Sequence, residues 1–312
     1  MSRTDGVGVA FCGGGFRSYA EVAAVEDIER NAIRIGAAAG TSMGSLVAVL
    51  VGAGLSSSRI AELLVKMDQR VVDEGILKNI GFKALGFLGG GHGLVESAIL
   101  ERFARDILEE AGIRSMADMV MPVAFPACDI TSGDLCVFTN DESLFSNTSG
   151  GWTCITGNLD VARCIAASAS YPLVISPTEY LGRTFMDGGC RMNLPTPLFD
   201  RAQVDAVVGV GLIRHAQPTS DLSPINIAKR TMSCGANQLD RIYSQVADIY
   251  INLPVSGDDA FQAGTGQQVI AEARQMIADR PIDWSPARPS TFEVVRRTAV
   301  DAFYHMVRTH SN

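Results

Sequence analysis

The chain has 312 residues, of which 47% are hydrophobic and 19% charged, so it is neither a disulfide-stabilised mini-protein nor an intrinsically disordered chain. Its 26 basic and 34 acidic residues leave a net charge of −8. This charge disfavours nucleic acid and electrostatic docking on anionic lipid, because both require clustered cations. Seven cysteines without a CxxC pair indicate reduced, buried thiols, and we expect no metal and no cofactor.

The N-terminal segment contains no apolar run long enough for a signal peptide. The uncharged stretch 35–58 is about as long as a membrane span, but its glycines and central Thr41, Ser42 and Ser45 favour a strand, a tight turn and a buried helix. We therefore predict a cytoplasmic protein, whose contact with membranes would be peripheral and transient.

Alternating strands and helices are predicted from the N-terminus onward. Residues 7–11 and 33–39 are expected strands, each followed by a helix, at about 18–30 and 45–53. This alternation is typical of an α/β protein with a mainly parallel sheet.

The rest of the chain continues the same pattern, without an internal repeat. Further helices are expected at 57–67, 96–110, 161–169, 225–246, 267–277 and 291–307, further strands at 121–128, 135–138, 183–186, 204–212 and 249–253, and surface loops at 146–157 and 256–266. We predict one domain over residues 1–312.

Residues 40–44, Gly-Thr-Ser-Met-Gly, fit the pattern G-x-S-x-G between a buried strand and an apolar helix. In this context a sharp turn would lift the Ser42 hydroxyl clear of the sheet and direct the positive end of the helix at a developing oxyanion. The alternative is a structural glycine turn that happens to contain a serine.

Three consecutive glycines, Gly13, Gly14 and Gly15, follow the first strand. Their backbone amides would form a nest for negative charge, as an oxyanion hole requires. A phosphate-binding loop is the alternative, but the sequence fits neither G-x-G-x-x-G nor the Walker A pattern.

A nucleophilic serine needs a base, and two candidates remain open. His215 follows a predicted strand and is the most suitable of the four histidines. Asp187 ends another strand and is followed by two glycines, so it could approach the serine directly. A carboxylate base would need partial desolvation to raise its pKa.

Three patches together resemble the patatin-like phospholipases: 12–18 (Cys-Gly-Gly-Gly-Phe-Arg-Ser), 40–44, and 187–195, which begins Asp-Gly-Gly and ends Asn-Leu-Pro. The segments 166–172 and 129–133 agree with the same family, so the similarity spans about 7–212. The resemblance implies a three-layer α/β/α fold and a Ser-Asp dyad of Ser42 and Asp187. It also implies an oxyanion hole formed by Gly13, Gly14 and Gly15.

The first motif is closest to the cytosolic phospholipase A2 version, because Ser18 replaces the glycine that many members carry after the basic residue. By this likeness Arg17 would steady the loop or meet a lipid phosphate, although a structural ion pair would explain it equally well. Met43 is a further candidate for substrate contact. No family motif is evident in 213–312, which we expect to complete the fold with helices.

The apolar, glycine-rich stretch 75–94 contains Phe82 and Phe87. It is either a cap that touches lipid and admits acyl chains or an ordinary segment covering the core. The predicted function is a lipid acyl hydrolase acting on phospholipid or another acyl ester. The alternatives are a Ser-His transacylase that acts on acyl-carrier protein and a catalytically silent lipid-binding module.

Overall fold

The computed structural model describes residues 4–76, 95–145, 151–214, 222–257 and 260–288. Its strands are β1 (Val7–Phe11), β2 (Ile35–Gly40), β3 (Val123–Asp129), β4 (Leu135–Thr139), β5 (Trp152–Ile155), β6 (Thr178–Tyr180), β7 (Arg183–Asp187), β8 (Val207–Gly211) and β9 (Ile249–Asn252). Its helices are α1 (Val22–Arg30), α2 (Met43–Gly52), α3 (Ser57–Asp73), α4 (Ser97–Glu110), α5 (Glu142–Phe145), α6 (Val161–Ser168), α7 (Pro224–Ser244) and α8 (Gly266–Asp279).

One sheet organises the molecule, with the strand order β5-β4-β3-β2-β1-β8-β9. Adjacent strands along this order are parallel except for β3 and β4, and the β6–β7 hairpin adds to β3 in the antiparallel direction. Every residue of β1, β3 and β8 is buried, because helices flank the sheet. The predicted three-layer α/β class is confirmed.

The uncharged stretch 35–58 forms β2 and α2, and α2 is buried along its whole length. Its glycines interrupt any continuous helix, as the sequence indicated. Within the described ranges, no helix has the length and apolarity to cross a bilayer.

One predicted loop is wrong. Residues 146–157 include the edge strand β5, which pairs in parallel with β4 from Leu135↔Trp152 to Phe138↔Ile155. Glycine, serine and threonine around this strand suggest a loop when read locally, whereas its backbone hydrogen bonds come from a distant partner. The helix predicted at 291–307 lies outside the described residues.

The position of β7 decides where the predicted site residues Ser42 and Asp187 lie relative to each other. Strand β2 pairs in parallel with Val123 and Ala124 of β3, while β7 pairs antiparallel with the segment from Ala127 to Asp129. Because β4 occupies the other edge of β3, β2 and β7 lie along the same edge and run toward each other. The ends of β2 and β7 therefore converge across the three-residue step from Ala124 to Ala127, which spans about 10 Å of strand.

Candidate active site

Ser42 lies on a strained turn between β2 and α2. Its backbone has φ 55° and ψ −129°, a conformation that residues with a side chain rarely adopt and that is found at nucleophile elbows. The turn can close only because neither glycine of the motif carries a Cβ. A Cβ on Gly40 would lie 2.0 Å from the Gly44 carbonyl oxygen, and one on Gly44 would lie 2.5 Å from the Cys12 carbonyl oxygen. Both glycines of the motif are thus required by close backbone packing.

Buried hydroxyls hold this turn in place. The Ser42 amide donates a hydrogen bond to Ser168 Oγ at 3.0 Å, and Ser168 Oγ donates to the Pro126 carbonyl at 2.7 Å. Thr41 Oγ1 donates to the Met192 carbonyl at 2.9 Å. The turn is therefore fixed to β3 and to the loop that follows β7.

Asp187 ends β7 beside Ser42 and is only 2% exposed. Its Oδ1 accepts a hydrogen bond from the Gly189 amide at 2.7 Å, whereas its Oδ2 is buried and has no hydrogen-bond partner among the described residues. Burial raises the pKa of Asp187 to about 6, and the nearby Ser42 hydroxyl and the Gly189 amide partly oppose this rise. Ser42 is thus close enough to stabilise the carboxylate, although the direct hydrogen bond is not formed; such bonds often shorten only when substrate binds.

The glycine loop lies against the same turn. A Cβ on Gly13 would be 3.0 Å from Ser42 Cβ, so this loop borders the serine directly. The Gly13 amide donates to the Asn193 carbonyl at 3.1 Å and is already engaged. Among the described residues the amides of Gly14 and Gly15 donate no hydrogen bond, so these two are the candidates to hold an oxyanion.

Two residues without a predicted role, Asn193 and Asp240, support the glycine loop. Asn193 Nδ2 donates to the Gly13 carbonyl at 3.2 Å and to Asp240 Oδ2 at 2.8 Å. Asp240 belongs to α7 and is 4% exposed; burial raises its pKa to about 6. Asn193 lies within the motif at 187–195, but nothing in the local sequence around Asp240 distinguishes it from a surface acid of an amphipathic helix.

All the predicted site residues that the structure describes line one cavity of about 1010 Å³: Gly13, Gly14, Gly15, Arg17, Ser42, Met43 and Asp187. Its volume is at the upper end of the range for ligand sites. One wall is apolar and includes Met67, Ile99 and Phe103 of α3 and α4. Helix α7 contributes polar side chains to the lining, among them Asn226, Lys229 and Asp240.

The remaining predicted residues have different outcomes. Arg17 Nε donates a hydrogen bond to the Gly14 carbonyl at 3.4 Å. Arg17 therefore contacts the glycine loop, as a role in steadying that loop requires. Met43 is the first residue of α2 and is 8% exposed. Phe82, Phe87 and all four histidines, including His215, lie outside the described residues.

The described residues offer no clustered metal ligands, and most of their cysteines are buried. In the described part of the chain, no three His, Cys, Asp or Glu side chains are grouped to hold a metal ion. Cys12, Cys128, Cys136 and Cys164 are buried, as predicted for most of the thiols. Cys154 is half-buried, whereas Cys190 and Cys234 are exposed.

A serine on an elbow beside a buried carboxylate, on a mainly parallel α/β sheet, defines a class of candidate serine hydrolases. The family model described as patatin-like phospholipase matches residues 9–200. This match covers more than half of the chain, and the chain belongs to that family.

The sequence similarity extends to proteins of bacteria and of a virus. The uncharacterized protein YqhO of Bacillus subtilis is 28% identical over 215 residues, which cover 67% of this chain and 70% of YqhO. The uncharacterized protein R571 of Acanthamoeba polyphaga mimivirus is 25% identical, with 66% and 65% covered. The uncharacterized NTE family protein Mb1092c of Mycobacterium bovis is 27% identical, with 72% and 54% covered. The chain thus spans less than two thirds of the mimiviral and mycobacterial relatives.

Two solved structures are similar at low identity. VipD from Legionella pneumophila aligns with a TM-score of 0.44 and 13% identity, covering 89% of this chain and 66% of VipD. The type III effector protein ExoU aligns with a TM-score of 0.41 and 13% identity, covering 89% of this chain and 53% of ExoU.

Proposed function

We propose that this chain is an acyl-ester hydrolase of the phospholipase A or lysophospholipase type, with Ser42 as the nucleophile and Asp187 as its base. The observation that carries the proposal is the buried Asp187 Oδ2, which has no partner among the described residues and lies beside a serine on a strained turn. Family membership supports a lipid ester as the substrate class.

The proposed reaction proceeds in two acyl-transfer steps. Asp187 Oδ2 accepts the proton of the Ser42 hydroxyl as Oγ attacks the ester carbonyl, and the amides of Gly14 and Gly15 donate hydrogen bonds to the oxyanion. The C–O bond to the alcohol breaks, and the leaving alcohol takes the proton from Asp187. Water then attacks the acyl-enzyme with Asp187 again as base, which releases the fatty acid and restores Ser42.

The lining of the cavity matches an amphiphilic substrate. The apolar side chains of α3 and α4 would bury an acyl chain, because removing it from water is favourable by about 0.8 kcal/mol per CH₂. The polar side chains of α7 would remain beside the head group. Ser42 lines the same cavity as both sets of side chains, and the ester would lie beside it.

Hydrolysis of phospholipid and covalent labelling by a fluorophosphonate test the proposal together. The variants are Ser42→Ala and Asp187→Asn, with Ser132→Ala and Asp129→Asn as controls. Asp129 is matched to Asp187 in burial, at 3% against 2% exposed, but is paired with Arg183 at the end of β3.

We expect Ser42→Ala and Asp187→Asn to reduce kcat by about 10³-fold or more and Ser42→Ala to abolish labelling, while both controls stay active. Near-normal turnover by Asp187→Asn would exclude the dyad and leave His215 as the candidate base. Transfer from an acyl thioester without phospholipid hydrolysis would indicate the transacylase. A wild type that neither hydrolyses lipid nor becomes labelled would indicate a silent lipid-binding module.

A further inference from the structure

Asp240 is a buried carboxylate that the proposed reaction does not use. It lies on α7 near the C-terminal end of that helix and lines the same cavity as Ser42. It is 4% exposed, and its Oδ1 has no hydrogen-bond partner among the described residues. A buried carboxylate with an unsatisfied oxygen destabilises a fold, and groups of this kind are concentrated at functional sites.

The other carboxylate oxygen of Asp240, Oδ2, is connected to the glycine loop by hydrogen bonds through the side chain of Asn193. Asp240 Oδ2 accepts from Asn193 Nδ2 at 2.8 Å, and the same nitrogen donates to the Gly13 carbonyl at 3.2 Å. The Gly13 amide returns a hydrogen bond to the Asn193 carbonyl at 3.1 Å. Asn193 therefore holds Gly13 from both sides of its backbone.

A carboxylate suits position 240 because it can only accept hydrogen bonds from Asn193. An ionised carboxylate can only accept hydrogen bonds, so Asp240 requires the NH₂ group of Asn193 to face it. The Asn193 amide is thereby kept from flipping, and its second hydrogen is directed at Gly13. Asn193 Oδ1 then packs on the glycines, 2.5 Å from where a Cβ on Gly13 and 2.8 Å from where one on Gly189 would lie.

We propose that Asp240 is a positioning residue that, through Asn193, fixes the glycine loop beside Ser42 so that the amides of Gly14 and Gly15 face the oxyanion. This inference rests on the proposed function for its catalytic consequence. It adds a contribution from α7, which lies outside the residues 9–200 that match the family model. In this way the C-terminal part of the chain supports the site.

A double-mutant cycle tests whether Asp240 acts through Asn193. Asp240→Ala should lower kcat about 10- to 100-fold, the effect of a small misplacement of catalytic groups, while KM changes little. Asp240→Asn retains an oxygen acceptor and should stay within about fivefold of wild type, because a charged hydrogen bond exceeds a neutral one by about 1 kcal/mol. The double variant with Asn193→Ala should be no slower than Asn193→Ala alone.

Asp248→Ala is the matched control, since Asp248 pairs with Arg201 at 2.6 Å and accepts from the Val207 amide at 2.8 Å, away from the cavity. It should keep kcat even if its melting temperature falls. Multiplicative losses in the double variant, or equal losses in Asp240→Ala and Asp240→Asn, would overturn the proposal.

Amide hydrogen exchange supplies a readout that does not depend on turnover. Exchange in the peptide 12–16 should accelerate at least about tenfold in Asp240→Ala and remain unchanged in Asp240→Asn and Asp248→Ala, because a released loop opens more often. Unchanged exchange in Asp240→Ala would refute the link to the loop. Loss of hydrolysis in Ser42→Ala separately tests the proposed function, so the two failures are distinguishable.

Discussion

Asp187→Asn should stabilise this protein at neutral pH while it lowers kcat of the proposed hydrolysis by about 10³-fold or more. Burial raises the pKa of Asp187 from 3.8 to about 6, although the nearby Ser42 hydroxyl and the Gly189 amide oppose the rise. The folded state therefore binds a proton more readily than the unfolded chain does. The stability of the wild type must fall as the pH rises from about 4 to about 6.

The difference between a pKa of 3.8 and one of about 6 corresponds to about 3 kcal/mol, because each pH unit is equivalent to about 1.4 kcal/mol. Asn removes this cost, since it carries no charge to desolvate. Its side-chain oxygen can keep the hydrogen bond from the Gly189 amide, and its NH₂ group can donate to Ser42 Oγ. We expect a gain of about 1–3 kcal/mol in the free energy of unfolding above pH 6, and no gain near pH 4.

Urea unfolding of wild type and Asp187→Asn at several values between pH 4 and 8 measures this difference. Asp129→Asn is a control of opposite sign, because hydrogen bonding from Thr131 lowers the pKa of Asp129. Its ionised form stabilises the fold above about pH 4, and this contribution is lost as pH falls through the lowered pKa. Asp129→Asn should therefore destabilise the protein at neutral pH. A stability difference for Asp187→Asn that is the same at pH 4 and pH 8 would refute a desolvated carboxylate at this position.

Three further predictions concern the surroundings of Ser42. Hydrolysis of a soluble short-chain ester should fall about tenfold per pH unit below pH 6, because Asp187, as the proposed base, must be ionised and burial raises its pKa to about 6; a rate that stays constant down to pH 4 would exclude this base. Ser168→Ala removes the acceptor for the Ser42 amide and should lower kcat about 10- to 100-fold. Ser170 is equally buried, but its hydroxyl contacts the Ala166 carbonyl and the Thr178 hydroxyl instead, so Ser170→Ala should retain kcat. Gly13→Ala would place Cβ 2.5 Å from Asn193 Oδ1 and should reduce kcat about 100-fold. A Cβ on Gly133 would meet nothing within 4 Å, but the φ of this residue is +79°, so Gly133→Ala should lose stability and remain active. Equal losses of kcat in Gly13→Ala and Gly133→Ala would show that the contact between Gly13 and Asn193 does not matter for turnover.

Much of the fold could be predicted because local pattern and tertiary environment agree. The strand at 7–11 has the predicted bounds, and α2 differs from its predicted bounds by one or two residues, since both are apolar and are delimited by glycines. Strand β5 was missed because its sequence resembles a loop and only pairing with β4 makes it a strand. The N-terminal part of the helix predicted at 18–30 is a 3₁₀ segment, Gly15–Glu21, which hydrophobic periodicity does not distinguish from an α-helix.

The candidate site shows the same division between local and distant information. Ser42, the glycines and Asp187 could be proposed from sequence because each lies in a short pattern with a backbone requirement of its own. Asp240 could not be proposed, because its importance comes from the packing of α7 against a loop 47 residues away at Asn193. The sequence around an acidic residue on an amphipathic helix does not indicate which residues its carboxylate contacts in the folded protein.

The sequence by itself determined the α/β class, the strained serine turn and the presence of an aspartate free at a strand end, because strand, turn and helix preferences act over a few residues. Only the tertiary structure decided that the serine and the aspartate line one cavity. This placement depends on β2 and β7 sharing one edge of β3 in opposite directions, and no local preference specifies which strand pairs with which. Strand pairing also buried Asp187 away from water, and this burial raises its pKa toward the value that a carboxylate base needs.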